Sequence, residues 1–371
     1  VKEAEDTPYP AITLANGTTH KTSPTVGTRK TVTFDLQPYS FELESILPML
    51  ITALQSSARV VVVLNTVDRS NDLLRALESH PDVNPDALFQ CRGTICPHHG
   101  RFAPQDRTVL DHEVSKRLGP GSSGGPLVIV GTQTLEQSLD IDADFMITDL
   151  APADVLLQRV GRLHRHNRSR PPGYERARCI VLVPPHSLVQ ALDRRGEALG
   201  SFRRIGLGSV YEDLRILELT MKTLLRRKTV TIPDDNRSLV EAATHPDCLA
   251  TLNDGPWEKH AELVEGRTLA KGVAAREVLA DFDSHFGETE FNELGGQISV
   301  RLGTDNLQLP VDRPFTSPFG VEIAELVIPG HLAPKDQPEQ ITVEEVHEDS
   351  VYLRCGDRRY RYGRYGLEAL S

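Results

Sequence analysis

Long apolar runs are missing from these 371 residues. No stretch approaches the roughly 18 apolar residues of a membrane-spanning helix. The strongest run, "VVVLN" after Arg59, has the length of a buried strand. Cysteine is scarce, and the five residues lie scattered at 91, 96, 179, 248 and 355. An odd, dispersed set argues against a disulfide framework and for a reducing cytoplasm. "CRGTICPHH" brings Cys91, Cys96, His98 and His99 together, but it has neither finger nor ribbon spacing and no second Cys/His pair. No metal site is expected there. The opening "VKEAEDTPYP" is polar and acidic, unlike a signal peptide. It has no initiator Met, which suggests a fragment or a processed start.

Hydrophobic residues make up 39% and charged residues 25%, the balance of a globular chain long enough for two or three domains. The net charge of −11 argues against nonspecific coating of nucleic acid. Against that background, "LLQRVGRLHRH" (156–166) concentrates arginine. From 158 to 178 seven arginines face a single acid, Glu175. A second cluster, "RCGDRRYRYGR" (354–364), interleaves Arg with Tyr. By itself, either cluster can be a solvated face.

The pattern along the chain alternates. Residues 1–40 read as a polar entry segment, with a candidate strand at 31–36. "FELESILPMLITALQSS" reads as a helix with Pro48 as a kink, and "RVVVVLN" as a strand buried on both faces. An amphipathic helix over 69–80 follows, with Asp68 as its N-cap, and another over 103–119. "PLVIVGT", "FMITDL" and "ARCIVLVP" are further strands, and 153–165 is helical. This βαβ rhythm predicts an α/β fold with a parallel sheet, whose ligands sit at the carboxyl ends of the strands. Ser209 and Glu212 have capping-box spacing before the core stripe Val210, Leu214, Leu217, Met221 and Leu224. A longer helix is expected over 257–286, and short alternating segments follow from 294.

In order, "VVVLNTVDRSNDLLRAL", "PHHGRFAPQDR" and "VIVGTQTLEQSLDIDADFMITDLAPADVLLQRVGRLHRH" resemble the motifs of the second RecA-like domain of superfamily 2 helicases. The run "TQTLEQSLDIDADFMITDLAP" followed by "LLQRVGRLHRH" is similar, specifically, to the CRISPR-associated helicase-nucleases of type I interference systems. The resemblance is close over 41–185 and weaker beyond, where "DDNRSLVE", "RLG" and the Tyr/Arg stretch carry it. It implies a RecA-like parallel sheet flanked by helices over 41–200, a helical linker over 201–290 and a small β-rich, α+β C-terminal domain over 291–371.

Such a motor holds ATP and Mg²⁺ in a cleft between two sheet domains, and the second domain supplies arginines that neutralise charge on the transferred phosphoryl group. By resemblance, Arg162 and Arg165 are the finger residues and Gln158 couples ATP to DNA. Their spacing of three would put the two arginines on one helical face. Arg159, Glu136, Asp140 and Asp142 are the expected cofactor-side residues, with Ser138 near the same cleft. For Arg159 a salt bridge is an equal alternative, and for Asp142 a cap. Asn65, Thr66, Arg69, His99, Arg101, Phe102, Thr132 and Gln133 are the expected DNA contacts, with a core role open for Phe102. Gly100 stands where the family's His-Ser-Arg-Phe motif has Ser.

G-x-x-x-x-G-K-[ST] is absent, as is an Asp-Glu-x-His motif. "LDHEVS" (Asp111, His112, Glu113) reads as a solvated helical face rather than a nuclease centre. The expectation is therefore the C-terminal half of an ATP-dependent, 3′-to-5′ translocase on single-stranded DNA. The first RecA-like domain, the nuclease and its metal ions would lie elsewhere, with a guide-RNA surveillance complex as partner. Two rivals stay open: another superfamily 2 helicase, and a non-enzymatic module that binds DNA or a partner.

Overall fold

The computed structural model describes residues 11–21, 29–122, 124–136, 139–276, 306–336 and 338–370. β1 (Ala11–Thr13) and β2 (Thr19–Lys21) form a hairpin. The central sheet takes β3 (Lys30–Gln37), β4 (Arg59–Val63), β7 (Leu127–Gly131), β8 (Phe145–Asp149), β9 (Ala177–Leu182) and β10 (Thr229–Ile232). β5 (Gln90–Cys91) and β6 (Thr94–Ile95) pair outside it. The sheet order is β10-β3-β9-β8-β4-β7, parallel except for β10.

Strand periodicity sorts the core. Val61, Val63, Ile129, Met146, Cys179 and Val181 face one layer of helices. Val60, Val62, Val128, Val130, Ile147 and Ile180 face the other. The second layer is α1 (Leu47–Gln55) and α2 (Val67–Ser79). The first includes α3 (Pro104–Leu118) and α4 (Ala153–Val160). At about 1.5–3 kcal/mol per buried aliphatic side chain, this double-sided burial explains why β4, β7 and β8 are apolar without alternation.

The sheet reaches beyond the 41–200 span expected for it. β3 lies in the expected entry segment and β10 in the expected linker, and the two pair with each other. Pro48 sits in the first turn of α1, where a missing N–H costs nothing, so it starts the helix rather than kinking it. The N-cap position of α2 is Thr66, whose side chain makes no capping bond, and Asp68, expected as the N-cap, lies in the first turn instead.

α5 (Gly200–Arg204) leads to α6 (Leu214–Arg226), whose N-cap is Asp213, accepting from the Arg215 amide at 2.9 Å. The capping box is therefore overturned: the Ser209 hydroxyl donates to the Arg203 carbonyl instead. α7 (Asn236–Thr244) and α8 (Pro246–Ala250) precede α9 (Glu258–Arg276). The rest of the helix expected to 286, and "RLG", lie outside the described residues.

A β module closes the described chain. β11 (Leu307–Thr316) pairs with β12 (Glu322–Ile328). β13 (Thr342–Val346), β14 (Ser350–Cys355), β15 (Arg358–Gly363) and β16 (Gly366–Leu370) form a meander. The Tyr/Arg cluster falls on β14, β15 and the following turn, and its residues divide. Tyr360 and Tyr362 are fully buried, while Arg354 and Arg359 pair with Glu344 on the outside. Tyr362 seats the module on α3: its hydroxyl donates to Asp106 at 2.6 Å and accepts from the Ala103 amide at 3.0 Å.

Candidate functional site

At the carboxyl ends of β4, β7 and β8 a buried polar network joins the segments that the motifs singled out. Its hub is Arg159, which is 0% exposed. Its Nε donates to Glu136 at 2.7 Å, Nη1 to the Thr148 hydroxyl and the Asp149 carbonyl, and Nη2 to Asn65 Oδ1 and the Tyr211 hydroxyl. Every guanidinium N–H is thereby engaged inside the chain. The cofactor role expected for Arg159 and Glu136 is corrected on this ground: the pair is a buried ion pair with nothing left to offer a phosphate. Burial drives the Glu136 carboxyl above its ordinary range, against the pull of Arg159.

Asn65 and Arg69 are likewise drawn inward. Asp149 accepts Arg69 bidentately, at 3.1 and 2.7 Å, and also accepts the Asn65 amide at 2.9 Å. The Asn65 side chain donates to the Leu150 carbonyl, and Gln133 donates to the Asn65 carbonyl. Both Asn65 and Arg69 are buried, so the DNA contacts expected of their side chains are corrected to a structural role. Thr132 is buried as well, whereas Thr66 and Gln133 are half-buried at the sheet's edge. The Thr66 hydroxyl donates to the Arg204 carbonyl at 3.3 Å.

The "HHGRF" residues lie under the β module. His99 is fully buried, hydrogen-bonded to Asn71 and stacked on Phe102, with ring centroids 4.6 Å apart. Phe102 packs on Phe319 of the module. Arg101 pairs with Asp68 at 2.6 Å and meets His331 at 3.3 Å, and its carbonyl accepts the Leu367 amide. His99, Arg101 and Phe102 thus seat the C-terminal module. A base cannot stack on a ring that is 3% exposed, so the expected DNA role of Phe102 is corrected to core packing. His98, beside them, bridges Thr134 and Asp111 at 2.8 and 2.7 Å, so Asp111 does more than solvate its helix. Among the described residues, no group of three or more His, Cys, Asp or Glu could hold a metal ion.

The arginines after Gly161 differ from Arg159 in where they point. α4 ends at Val160, not at 165, so Arg162 and Arg165 do not share a helical face. Gly161 is a weak helix former, and the chain beyond it is pulled onto Ala143. The Ala143 amide donates to the Arg162 carbonyl, the His164 amide donates to the Ala143 carbonyl, and His164 takes φ +48°. Arg162 is half-buried, its Nη2 on the Glu136 carbonyl at 2.8 Å and its Nε buried without a partner. Arg165 is exposed and holds the exposed Asp140 at 2.5 Å. Gln158, on the last turn of α4, is exposed too. The Arg165 hydrogen bond keeps the Asp140 carboxyl below its ordinary range.

Asp142 behaves otherwise. It is buried and accepts Arg168 Nε at 2.5 Å, Arg170 Nη2 at 3.0 Å and the Arg165 amide at 2.7 Å. Burial would raise its pKa, but Arg170 and Arg168 outweigh that and hold it low. The cofactor role expected of Asp142 is corrected: it is an internal anchor for the arginine loop. Ser138 lies outside the described residues.

Sequence reasoning missed Lys30, Tyr211, Asp144 and Asp149. Lys30 Nζ donates to the Val160 carbonyl at 2.7 Å and to that of Leu163. Burial lowers its pKa to about 8, assisted by the positive charge of Arg165. Strand pairing brings Lys30 and Asp149 to the site and the loop before α6 brings Tyr211, so no local spacing announces them.

The model of the C-terminal region of the CRISPR-associated nuclease/helicase Cas3 matches residues 56–168. The chain is 29% identical to the CRISPR-associated endonuclease/helicase Cas3 of Thermus thermophilus, over 67% of this chain and 29% of that protein. It is 30% identical to the endonuclease/helicase Cas3 of Escherichia coli, over 66% and 26%. It therefore spans under a third of these relatives' length. Its fold matches that of T. fusca Cas3 crystallised with ATP (TM-score 0.66, 21% identity, 94% of this chain, 43% of that one). It also matches a chain of a CRISPR RNA-guided surveillance complex in a pre-nicking state (TM-score 0.67, 22% identity, 98% and 48%). The parallel sheet flanked by helices is accordingly a RecA-like α/β fold.

Proposed function

We propose that this chain, which is similar to the C-terminal helicase region of Cas3 proteins, supplies the arginine-bearing half of an ATP-driven motor on single-stranded DNA. The observation that carries the reading is the contrast among its arginines. Arg159, Arg69 and Arg170 are buried among several partners, whereas Arg165 is exposed with Asp140 as its one side-chain partner and Arg162 is half-buried on the Glu136 carbonyl alone. Arg162 also keeps a buried Nε without a partner. These residues fit a nucleotide phosphate.

Bound ATP, with Mg²⁺ held mainly by a phosphate-loop half, supplies the transferable phosphoryl group. Arg162 and Arg165 stabilise negative charge at its outer oxygens, which a planar, permanently charged group does well. Asp140 orients Arg165 through its 2.5 Å ion pair. Gln158, exposed on the last turn of α4 just before the arginine loop, senses the nucleotide, while the half-buried Thr66 and Gln133 line the carboxyl edge toward the DNA backbone. Movement would run 3′ to 5′. The nuclease, its metal ions and the first RecA-like domain would be supplied by the remainder of the motor. A guide-RNA surveillance complex is the proposed partner, supported by the fold match to a chain of such a complex. Among the described residues no helix is long and apolar enough to cross a membrane, in keeping with work in the cytoplasm.

The test is ATP turnover after this chain is combined with the phosphate-loop half, with and without single-stranded DNA. The chain alone should turn over negligible ATP. The combination should show DNA-stimulated turnover that Arg162→Ala lowers by about 10³-fold or more, the range of arginine fingers. Equal rates in wild type and Arg162→Ala would remove the reading and favour a binding module.

A further inference from the structure

The turn from Gly161 to Arg165 is held from three directions. Ala143 bridges to Leu163 through backbone hydrogen bonds. Asp142 accepts the Arg165 amide at 2.7 Å. The third tie is Lys30, more than 120 residues earlier, on the strand next to β9.

Lys30 acts where a helix end needs help. The last carbonyls of a helix have no intrahelical donor. The Val160 carbonyl accepts the Leu163 amide at 3.1 Å and Lys30 Nζ at 2.7 Å, and the Leu163 carbonyl accepts Lys30 as well. One side chain thereby clamps the two ends of the turn 160–163, with Gly161 and Arg162 as its two central residues. The charge environment argues against simple packing. Arg165, Arg170 and Arg162 all repel the Lys30 ammonium, and Asp142 alone among the principal groups attracts it. A methionine would fill the same space without that repulsion. A cation held there at electrostatic cost needs a reason, and the clamp provides one.

We propose that Lys30 is a positioning residue for Arg162, fixing the loop so that its guanidinium meets the phosphate in one geometry. This rests on the reading of Arg162 as the finger. Lys30 itself touches only backbone carbonyls in this role and is not a catalytic residue.

A double-mutant cycle tests it, in the chain combined with the phosphate-loop half. Lys30→Met should lower kcat by about ten-fold or more while leaving KM for ATP and affinity for single-stranded DNA within about two-fold. Lys30→Arg, which keeps charge and donors, should recover most of the rate. In the Arg162→Ala background Lys30→Met should cost nothing further, since residues acting as one unit are not additive. A Lys30→Met loss that simply multiplies with that of Arg162→Ala, or no loss, would overturn the proposal. If Arg162→Ala itself is silent, the finger reading is what fails. Hydrogen exchange of the 371-residue chain then decides the clamp. Protection at the Ala143, Leu163 and His164 amides lost in Lys30→Met and kept in Lys30→Arg supports it; unchanged protection refutes it.

Discussion

Arg159→Ala should cripple folding, and the reason differs from any phosphate contact. The substitution removes five hydrogen bonds at one stroke. It also strands Glu136, whose side chain is 5% exposed, without its cation. Breaking a buried ion pair from one side costs about 3–5 kcal/mol. Burial already pushes the Glu136 carboxyl upward, and losing Arg159 removes the charge that opposes that shift. Thr148, Asn65 and Tyr211 each lose a charged donor, while water entering the gap restores part of their bonding. Arg159→Lys should recover little, because three donors on a flexible stem cannot reach partners arranged for a planar fork. Urea unfolding of the 371-residue chain measures the effect, with Arg162→Ala as control. Arg162 is half-buried with one carbonyl partner, so its loss should stay near about 1 kcal/mol. An unfolding free energy for Arg159→Ala within about 1 kcal/mol of wild type would refute the assignment of Arg159 as the hub of the network.

Two further outcomes follow from the same geometry. The Lys30 pKa falls from 10.5 to about 8, so between those values the unfolded chain binds more protons than the folded one. Stability should rise with pH through that window by about 3 kcal/mol in wild type, the cost being full below pH 8, and Lys30→Met should lack that rise. Equal slopes for the two proteins from pH 8 to 10.5 in urea titrations would contradict it. Tyr362→Phe should loosen the β module by about 1–3 kcal/mol, because the buried Ala103 amide and Asp106 lose their shared hydroxyl. Faster proteolysis near 350–367, with the RecA-like sheet intact by circular dichroism, is the expected readout; an unchanged cleavage rate would count against the seat.

Much of the architecture was legible. Apolar runs at 59–65 and 126–132 are strands because a sheet covered on both faces needs no polar positions, and such runs are visible without coordinates. The ends of α3 were readable from Pro104 and Gly119. The end of α4 was not. Gln158, Arg162 and Arg165 fit helical spacing, yet the chain leaves the helix at Gly161 because Ala143 and Lys30, remote in sequence, offer its carbonyls and amides better partners. The expected DNA residues divided for the same kind of reason: motif spacing marks a residue type, while burial decides whether its side chain faces a ligand or a neighbour.

By itself the sequence determined the alternation of strands and helices between 59 and 182, through local periodicity, and the family resemblance that implies the RecA-like class, through contiguous motifs. Only the tertiary structure decided which arginine is a buried hub and which is exposed, that Lys30 reaches the Arg162 loop, and that His99, Arg101 and Phe102 seat the β module. Each of those depends on a partner distant in the chain, and the desolvation and charge such a partner imposes exist only once the two segments are packed together.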